Sequence, residues 1–386
     1  MKINIFKTTT IIDRENASKY IHSDEAELPS SIIVIQERAF FGCFDLKNVN
    51  LSECNRLQVI GNYAFCVCNS LKELKFPKGI TKIEGNAFKS CINLEKIDLS
   101  ECEKLEIIGN GAFSECKSLE EIVLPKSISF IGGNVFKDCR NLKKINLSVC
   151  DKLEKIEYGS FSGCESLEEI KIPKNITSIG EKAFGGCVNL VKVDFSECDK
   201  LEKIGNGAFY DCDNLKEITF PKSITTLGEE FFSGCKKVET VDLSECTKLE
   251  VIGNNAFSGW DSLKKVIFPK SIISIGKNAF RGCKQLVKTN LSECDKLEKI
   301  GDGAFRDCES LNDSFLASYF KRKEEKKIEE KRLKEEKLEA ERKLEAERKL
   351  KAEEESAKAA KIGGLILLFM FGGAILYLIL YLILHS

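Results

Sequence analysis

The chain contains six prolines, and all six lie 48 residues apart: Pro29, Pro77, Pro125, Pro173, Pro221 and Pro269. A denser column of phenylalanines runs through the same region: Phe40, Phe65, Phe88, Phe113, Phe136, Phe161, Phe184, Phe209, Phe232, Phe257, Phe280 and Phe305. Its steps alternate between 25 and 23 residues, so each 48-residue unit is a pair of similar halves, giving twelve halves in six pairs. A period of this length marks a solenoid, in which each repeat touches only its neighbours and none folds alone. Function in such a molecule resides on an extended surface rather than in a single cleft.

Composition narrows the function classes. Formal net charge is -1, so no basic excess exists to displace phosphate counterions, and nucleic acid is not an expected partner. The two histidines, His22 and His385, lie near opposite ends with no ligand-spaced cysteine or histidine beside them. Zinc binding and histidine-based catalysis are therefore unsupported, and no cofactor or small-molecule substrate is expected. The chemically rich residue is cysteine, of which there are 18. Eleven sit three residues after a column phenylalanine, from Cys43 to Cys308; six more, Cys54 to Cys294, recur every 48 residues; Cys66 alone is off the lattice. A cysteine at nearly every rung is expected to act as a small buried hydrophobe. Stacked strands about 4.8 Å apart also leave room for a disulfide ladder along the eleven-member column. Compartment decides between the two. The N-terminal stretch has no apolar core of useful length, being interrupted by Lys7, Asp13, Arg14 and Glu15, which favours free thiols facing the cytosol.

Both half-repeats contain L-x-x-L-x-L, as in Leu71, Leu74 and Phe76 or Leu94, Ile97 and Leu99. This is the strand pattern of a leucine-rich repeat, with Leu74 and Phe76 inward and Glu73 and Lys75 outward by alternation. Cys102 takes the corner position after the strand. The pattern continues as I-G-x-x-A-F-x-x-C-x-x-L, and over residues 29–312 it closely resembles the BspA-type leucine-rich repeat family. The resemblance implies a parallel-sheet solenoid of the α/β repeat class. It carries no catalytic residues, and it includes surface proteins implicated in adhesion. Residues 1–28 are expected to cap the first rung, and Phe315, Leu316, Tyr319 and Phe320, on one side of a helix begun by Asp313 or Ser314, to seal the last.

The outward residue before each inner strand residue reads Glu73, Lys96, Glu121, Lys144, Glu169, Lys192, Glu217, Thr240, Lys265, Lys288. Opposite charges thus fall side by side for seven strands and are expected to satisfy one another. The next outward column decays in its alternation: Lys75, Asp98, Val123, Asn146, Lys171, Asp194, Thr219, Asp242, Ile267, Asn290. From Thr219 onward the face is less self-paired, so a protein partner is expected to engage Asp194, Thr219, Asp242, Ile267 and Asn290. Trp260 replaces the column cysteine in the one rung lacking it; it either packs over the turn or anchors that partner.

Residues 313–361 contain the capping turn and a charged helix: 29 of the 41 residues from 321 are Lys, Arg or Glu, with no Pro or Gly. Pairs four apart, such as Glu330 with Lys334, Glu339 with Lys343, Glu345 with Lys349, Glu347 with Lys351 and Glu354 with Lys358, each add about 0.2–0.5 kcal/mol to a helix. Ile328, Leu333, Leu338, Leu344 and Leu350 scatter around the axis, favouring a single helix over a weak coiled coil. Residues 362–384 carry no charge, and as a helix they reach about 34 Å, enough for a hydrocarbon core of about 30 Å. The anchor is read from Ile362, Leu365, Phe369, Phe371, Leu376, Tyr377, Tyr381 and Leu384, with both tyrosines toward one interface. Only residues 385–386 follow, an arrangement like that of tail-anchored proteins and one that favours ER or secretory membranes. Lys351, Lys358 and Lys361 on the N-terminal side place the repeats in the cytosol. Sequons at Asn50, Asn146 and Asn290 fall in strands, where a glycan would cover the sheet. The expected work is that of a single-pass membrane scaffold or adaptor with protein and lipid partners. The alternative is a cell-surface adhesin with the repeats outside.

Overall fold

The computed structural model describes residues 9–385. It divides into two compact units, residues 1–313 and 314–386. The first is a parallel β-solenoid of about twelve turns, one for each phenylalanine of the column.

Each turn contributes to three ladders. The first sheet collects three-residue strands such as Glu73–Lys75, Lys96–Asp98 and Glu121–Val123, in which the middle residue is buried and the first is exposed. The second collects two-residue strands such as Val59–Ile60, Lys82–Ile83 and Ile107–Ile108, whose last residue is buried. The third consists of turns. Phe65 donates its amide to Ala87 of the next rung (2.7 Å), and Phe88 to Ala112 (2.8 Å), while Tyr63 and Val67 donate to Gly85 and Lys89. Two residues four apart hold left-handed backbone in this segment: Tyr63 and Val67, Asn86 and Ser90, Gly111 and Glu115, and so on to Gly303 and Asp307. That pairing forbids a helix and turns alternate amides toward the neighbouring rung. The repeats are therefore all strand and turn.

The N-terminal segment enters the same scheme. Ile11–Ile12 pairs in parallel with Val34–Ile35 and extends the second sheet. Ile21–His22 folds back antiparallel on Glu25–Glu27, which pairs with Asn48–Asn50 and closes the first sheet. At the other end the strand expected around Lys288 and Asn290 does not form. Lys288 makes an isolated bridge to Lys265, and Leu291–Glu293 is a 3-10 turn.

The core is a stack of rings. Consecutive column phenylalanines lie face to face at 4.8–6.2 Å from Phe40 to Phe305. The cysteines complete it. Cys68, Cys91, Cys116 and Cys139 each donate Sγ–H to the carbonyl of the phenylalanine one rung back, at 3.1–3.2 Å. The bond gives a small buried side chain a polar contact that would otherwise be lost to burial, and it explains why the position repeats at each rung. All eighteen cysteines are free thiols, sixteen of them buried; Cys43 and Cys308 are half-buried. Burial pushes Cys54 and Cys198 up to about 11 and Cys102, Cys150 and Cys246 to about 12. Thiolate is the reactive form, so an aromatic disulfide reagent at pH 8 is expected to titrate two thiols rapidly, Cys43 and Cys308, and the other sixteen only on unfolding. Mass mapping of the labelled positions checks this, and rapid labelling of Cys164 or Cys212 would contradict it.

The second unit is one continuous helix, Ser314–Leu384. The charged and apolar segments are not separate helices: no residue breaks the backbone at 361–362. Lys343 bridges Glu339 (2.9 Å) and Lys349 bridges Glu345 (3.1 Å), as the spacing predicts, while Arg332 reaches both Glu329 and Glu336. Ile328, Leu333, Leu338, Leu344 and Leu350 are all exposed.

Candidate binding surface

The first sheet has the alternating residues of a recognition face, and its register is that read from the sequence. Glu121 lies between Lys96 and Lys144, Glu169 beside Lys144 and Lys192, and Lys192 beside Glu217. Ion pairs close at Lys96–Glu121 (3.2 Å) and Lys192–Glu217 (3.1 Å). Glu217 holds the Lys192 ammonium above its ordinary pKa by hydrogen bonding and charge. One column further out, Lys143 meets Glu120 and Lys264 meets Glu239. In the first outward column like charges stand together where the alternation ends, at Lys265 and Lys288.

The candidate residues separate into different roles. Asp194 and Thr219 are paired across neighbouring strands, and the Thr219 hydroxyl donates to the Asp194 carboxylate. That bond and the Ser196 amide hold the Asp194 carboxyl below its ordinary range. Asp242 is exposed and stands beside Ile267. Both aspartates also close a turn. Asn50, Asp98, Asn146, Asp194 and Asp242 accept the amide of the serine two residues on, at 2.9–3.0 Å. The N/D-x-S recurrence is thus an Asx turn that ends each second strand, a role that sequence reasoning missed.

One candidate is corrected, and a second carries a structural bond. Trp260 is fully buried and cannot anchor a partner. Its Nε1–H donates to the Phe232 carbonyl at 2.6 Å, the bond that cysteine makes elsewhere, and its ring meets Phe232 and Phe257 edge-on. Tryptophan substitutes there because it too brings a donor to an apolar site. Asn290 spends both ends of its amide on Phe268, accepting from its N–H (2.7 Å) and donating to its carbonyl (3.1 Å). It replaces the missing ladder bonds of the last strand.

Grooves follow this face. One of about 710 Å³ is lined by Lys144, Glu169, Lys171, Val191, Lys192 and Asp194. A second, of about 750 Å³, lies between Lys216–Thr219 and Lys237–Thr240. A third includes Ile267 and Asn290. The charged lining suits a polypeptide surface rather than an enclosed small molecule.

Comparison with known proteins decides the family. The sequence profile of the BspA type leucine rich repeat region matches residues 1–103, 35–152, 102–213, 130–250 and 244–343. The chain belongs to this family. A BspA-type scaffold brings no catalytic family with it. Among solved structures, a leucine-rich repeat protein from Bacteroides ovatus is 25% identical with a TM-score of 0.53, covering 75% of this chain and 83% of that one. A leucine-rich repeat protein from T. pallidum is 32% identical over 44% of this chain and 78% of its own, with a TM-score of 0.41. A leucine rich cell surface protein from Faecalibacterium prausnitzii is 24% identical over 76% of this chain and 83% of its own, with a TM-score of 0.44. No curated protein matches the chain.

The other half of the BspA-type chain's candidate surface is apolar. Ile362, Leu365, Phe369, Phe371, Leu376, Tyr377, Tyr381 and Leu384 are 56–78% exposed on the helix. The helix is long and apolar enough to cross a membrane, and none of its apolar stretch is buried.

Proposed function

We propose that this protein is a membrane-anchored binding scaffold. Its leucine-rich repeats present a strand face to protein partners in the cytosol, the charged helix acts as a single-chain stalk, and residues 362–384 span the bilayer. The observation that carries this reading is the 23-residue uncharged stretch left wholly uncovered at the end of a helix. Water does not tolerate an apolar surface of that extent, and lipid does. Lys351, Lys358 and Lys361 flank its N-terminal side, which supports a cytosolic stalk. A role without catalysis agrees with cysteines that mostly donate to backbone carbonyls and are pushed up in pKa by burial; Cys308 alone is lowered, by its hydrogen bond with the neighbouring thiol Cys283 rather than by a base.

Protease protection tests orientation. With an antibody to the repeats, digestion is expected on sealed vesicles whose cytosolic side faces out and not on intact cells. Digestion on intact cells would overturn the cytosolic topology and support a cell-surface adhesin.

A further inference from the structure

The first sheet is not continuous. It breaks at two places: between Glu73–Lys75 and Lys96–Asp98, where the Glu95 amide still reaches the Lys72 carbonyl (3.4 Å), and between Glu217–Thr219 and Thr240–Asp242, after which pairing resumes with Lys265–Ile267. Up to the second gap, each rung passes one amide to the rung before: Lys143 to Glu120, Glu168 to Lys143, Val191 to Glu168, Lys216 to Val191. Beyond it, Lys264 donates to Glu239 and Val287 to Lys264. The bond from the Glu239 amide to the Lys216 carbonyl is not made. The second sheet and the phenylalanine stack run through the same rungs unbroken, with Thr226 paired to Val251 and Phe232 stacked on Phe257 at 6.2 Å. The solenoid is therefore wedged open on one face only.

The core supplies the wedge. Phe231 occupies the column that holds Ala in most rungs, and Trp260 occupies a cysteine position in the next. Phe231 packs against Phe209 (5.8 Å), Phe220 (6.4 Å) and Phe232 (4.0 Å). The Phe232–Phe257 step, at 6.2 Å, is the widest of the stack. Above this enlarged core Ile218 is half-buried, while the matching Ile122, Ile145, Ile170, Val193 and Val241 are buried.

We propose that the breach between Glu217–Thr219 and Thr240–Asp242 is a docking site for an extended acidic peptide segment, paired by its backbone to the open strand edge. This deepens the scaffold reading and rests on it. Three features select the occupant. The unmatched Lys216 carbonyl and Glu239 amide offer backbone pairing, which an extended chain satisfies. Ile218 offers an apolar floor to alternate side chains. The charges around the gap are net basic: Glu217 is neutralised by Lys192 and Glu239 by Lys264, leaving Lys216 and Lys237 at the gap, Lys265 on the next strand and Lys288 on the rung after, against the exposed Asp242 and the Thr219-bonded Asp194.

Fluorescence anisotropy on the full chain in detergent micelles tests this with the end-capped, dye-labelled octapeptide (Val-Glu)4. Saturable binding is expected, weakened at least tenfold by Lys265→Glu with Lys288→Glu. Binding is also expected to fall at least tenfold in Phe231→Ala with Trp260→Cys, which restores the residues of neighbouring rungs and lets the sheet close. An alternately N-methylated (Val-Glu)4 and the charge-inverted (Val-Lys)4 are expected to bind at least tenfold more weakly. Circular dichroism confirms that each variant folds; should the core variant fail, the lysine variant carries the test. Absence of (Val-Glu)4 binding, equal binding by the N-methylated peptide, or binding unchanged in the folded variants would overturn the breach as a site. The scaffold reading falls separately, by failure of the membrane and orientation measurements.

Discussion

Replacing Phe184 with alanine is expected to destabilise the solenoid by about 3–5 kcal/mol. The ring is fully buried and stacked on Phe161 at 5.2 Å and on Phe209 at 5.0 Å. Truncation removes contacts on both faces and leaves a cavity that the neighbours cannot fill, because their backbones are pinned by amide bonds from Phe184 to Ala208 and from Phe161 to Ala183. The loss is transmitted by neighbour contacts only. Chemical denaturation is therefore expected to lose cooperativity, the turns on either side of residue 184 melting in separate steps. The matched change at Phe305, half-buried with one stacking partner at 5.2 Å, is expected to cost less than half as much. Equal losses at the two positions, or a single undistorted transition for Phe184→Ala, would show that the stack is not the axis of stability.

The phenylalanine and cysteine columns were legible because they repeat in sequence what they do in space. The charge alternation from Glu73 to Glu217 was legible for the same reason, parallel register carrying equivalent positions side by side. The second sheet was not. A strand of two residues such as Lys82–Ile83 is too short for period-two alternation to register. The turn ladder was hidden because its left-handed positions are held as often by ordinary residues, such as Val67, Glu115, Lys182 and Glu230, as by glycine. Their cost is offset by the bonds to the next rung, which no single repeat reveals. The Asx turns were legible as a 48-residue recurrence of Asn or Asp before Leu-Ser or Phe-Ser, yet the same residues also read as outward charges and sequons. Exposure alone could not separate a turn-closing Asp194 from a partner-binding one. Trp260 and Thr240 did mark the irregular rung. The signal that completes them is Phe231 in the alanine column, where excess volume under the sheet forces the strands apart.

The second large effect concerns the helix end. Residues 362–384 contain fifteen Leu, Ile and Phe, and at about 0.3–0.6 kcal/mol each their insertion into a bilayer is favoured by roughly 5–9 kcal/mol at most. One arginine near the centre costs about 2.5–3.5 kcal/mol on the same scale. Leu376→Arg alone is therefore expected to leave the protein membrane-bound, while Leu368→Arg with Leu376→Arg brings the balance near zero. Deletion of 362–384 removes it altogether. Alkaline carbonate extraction should then recover the single variant in the pellet, the double variant divided between pellet and supernatant, and the deletion variant in the supernatant. The stalk sharpens the test. Its 41 residues from 321 to 361 carry charges of both signs on an exposed helix, and its five large apolar residues are scattered singly around the axis, so they give the deletion variant no continuous apolar face with which to remain in the pellet. A deletion variant that still resisted extraction would place membrane attachment in the repeats and remove the anchor from the proposed function.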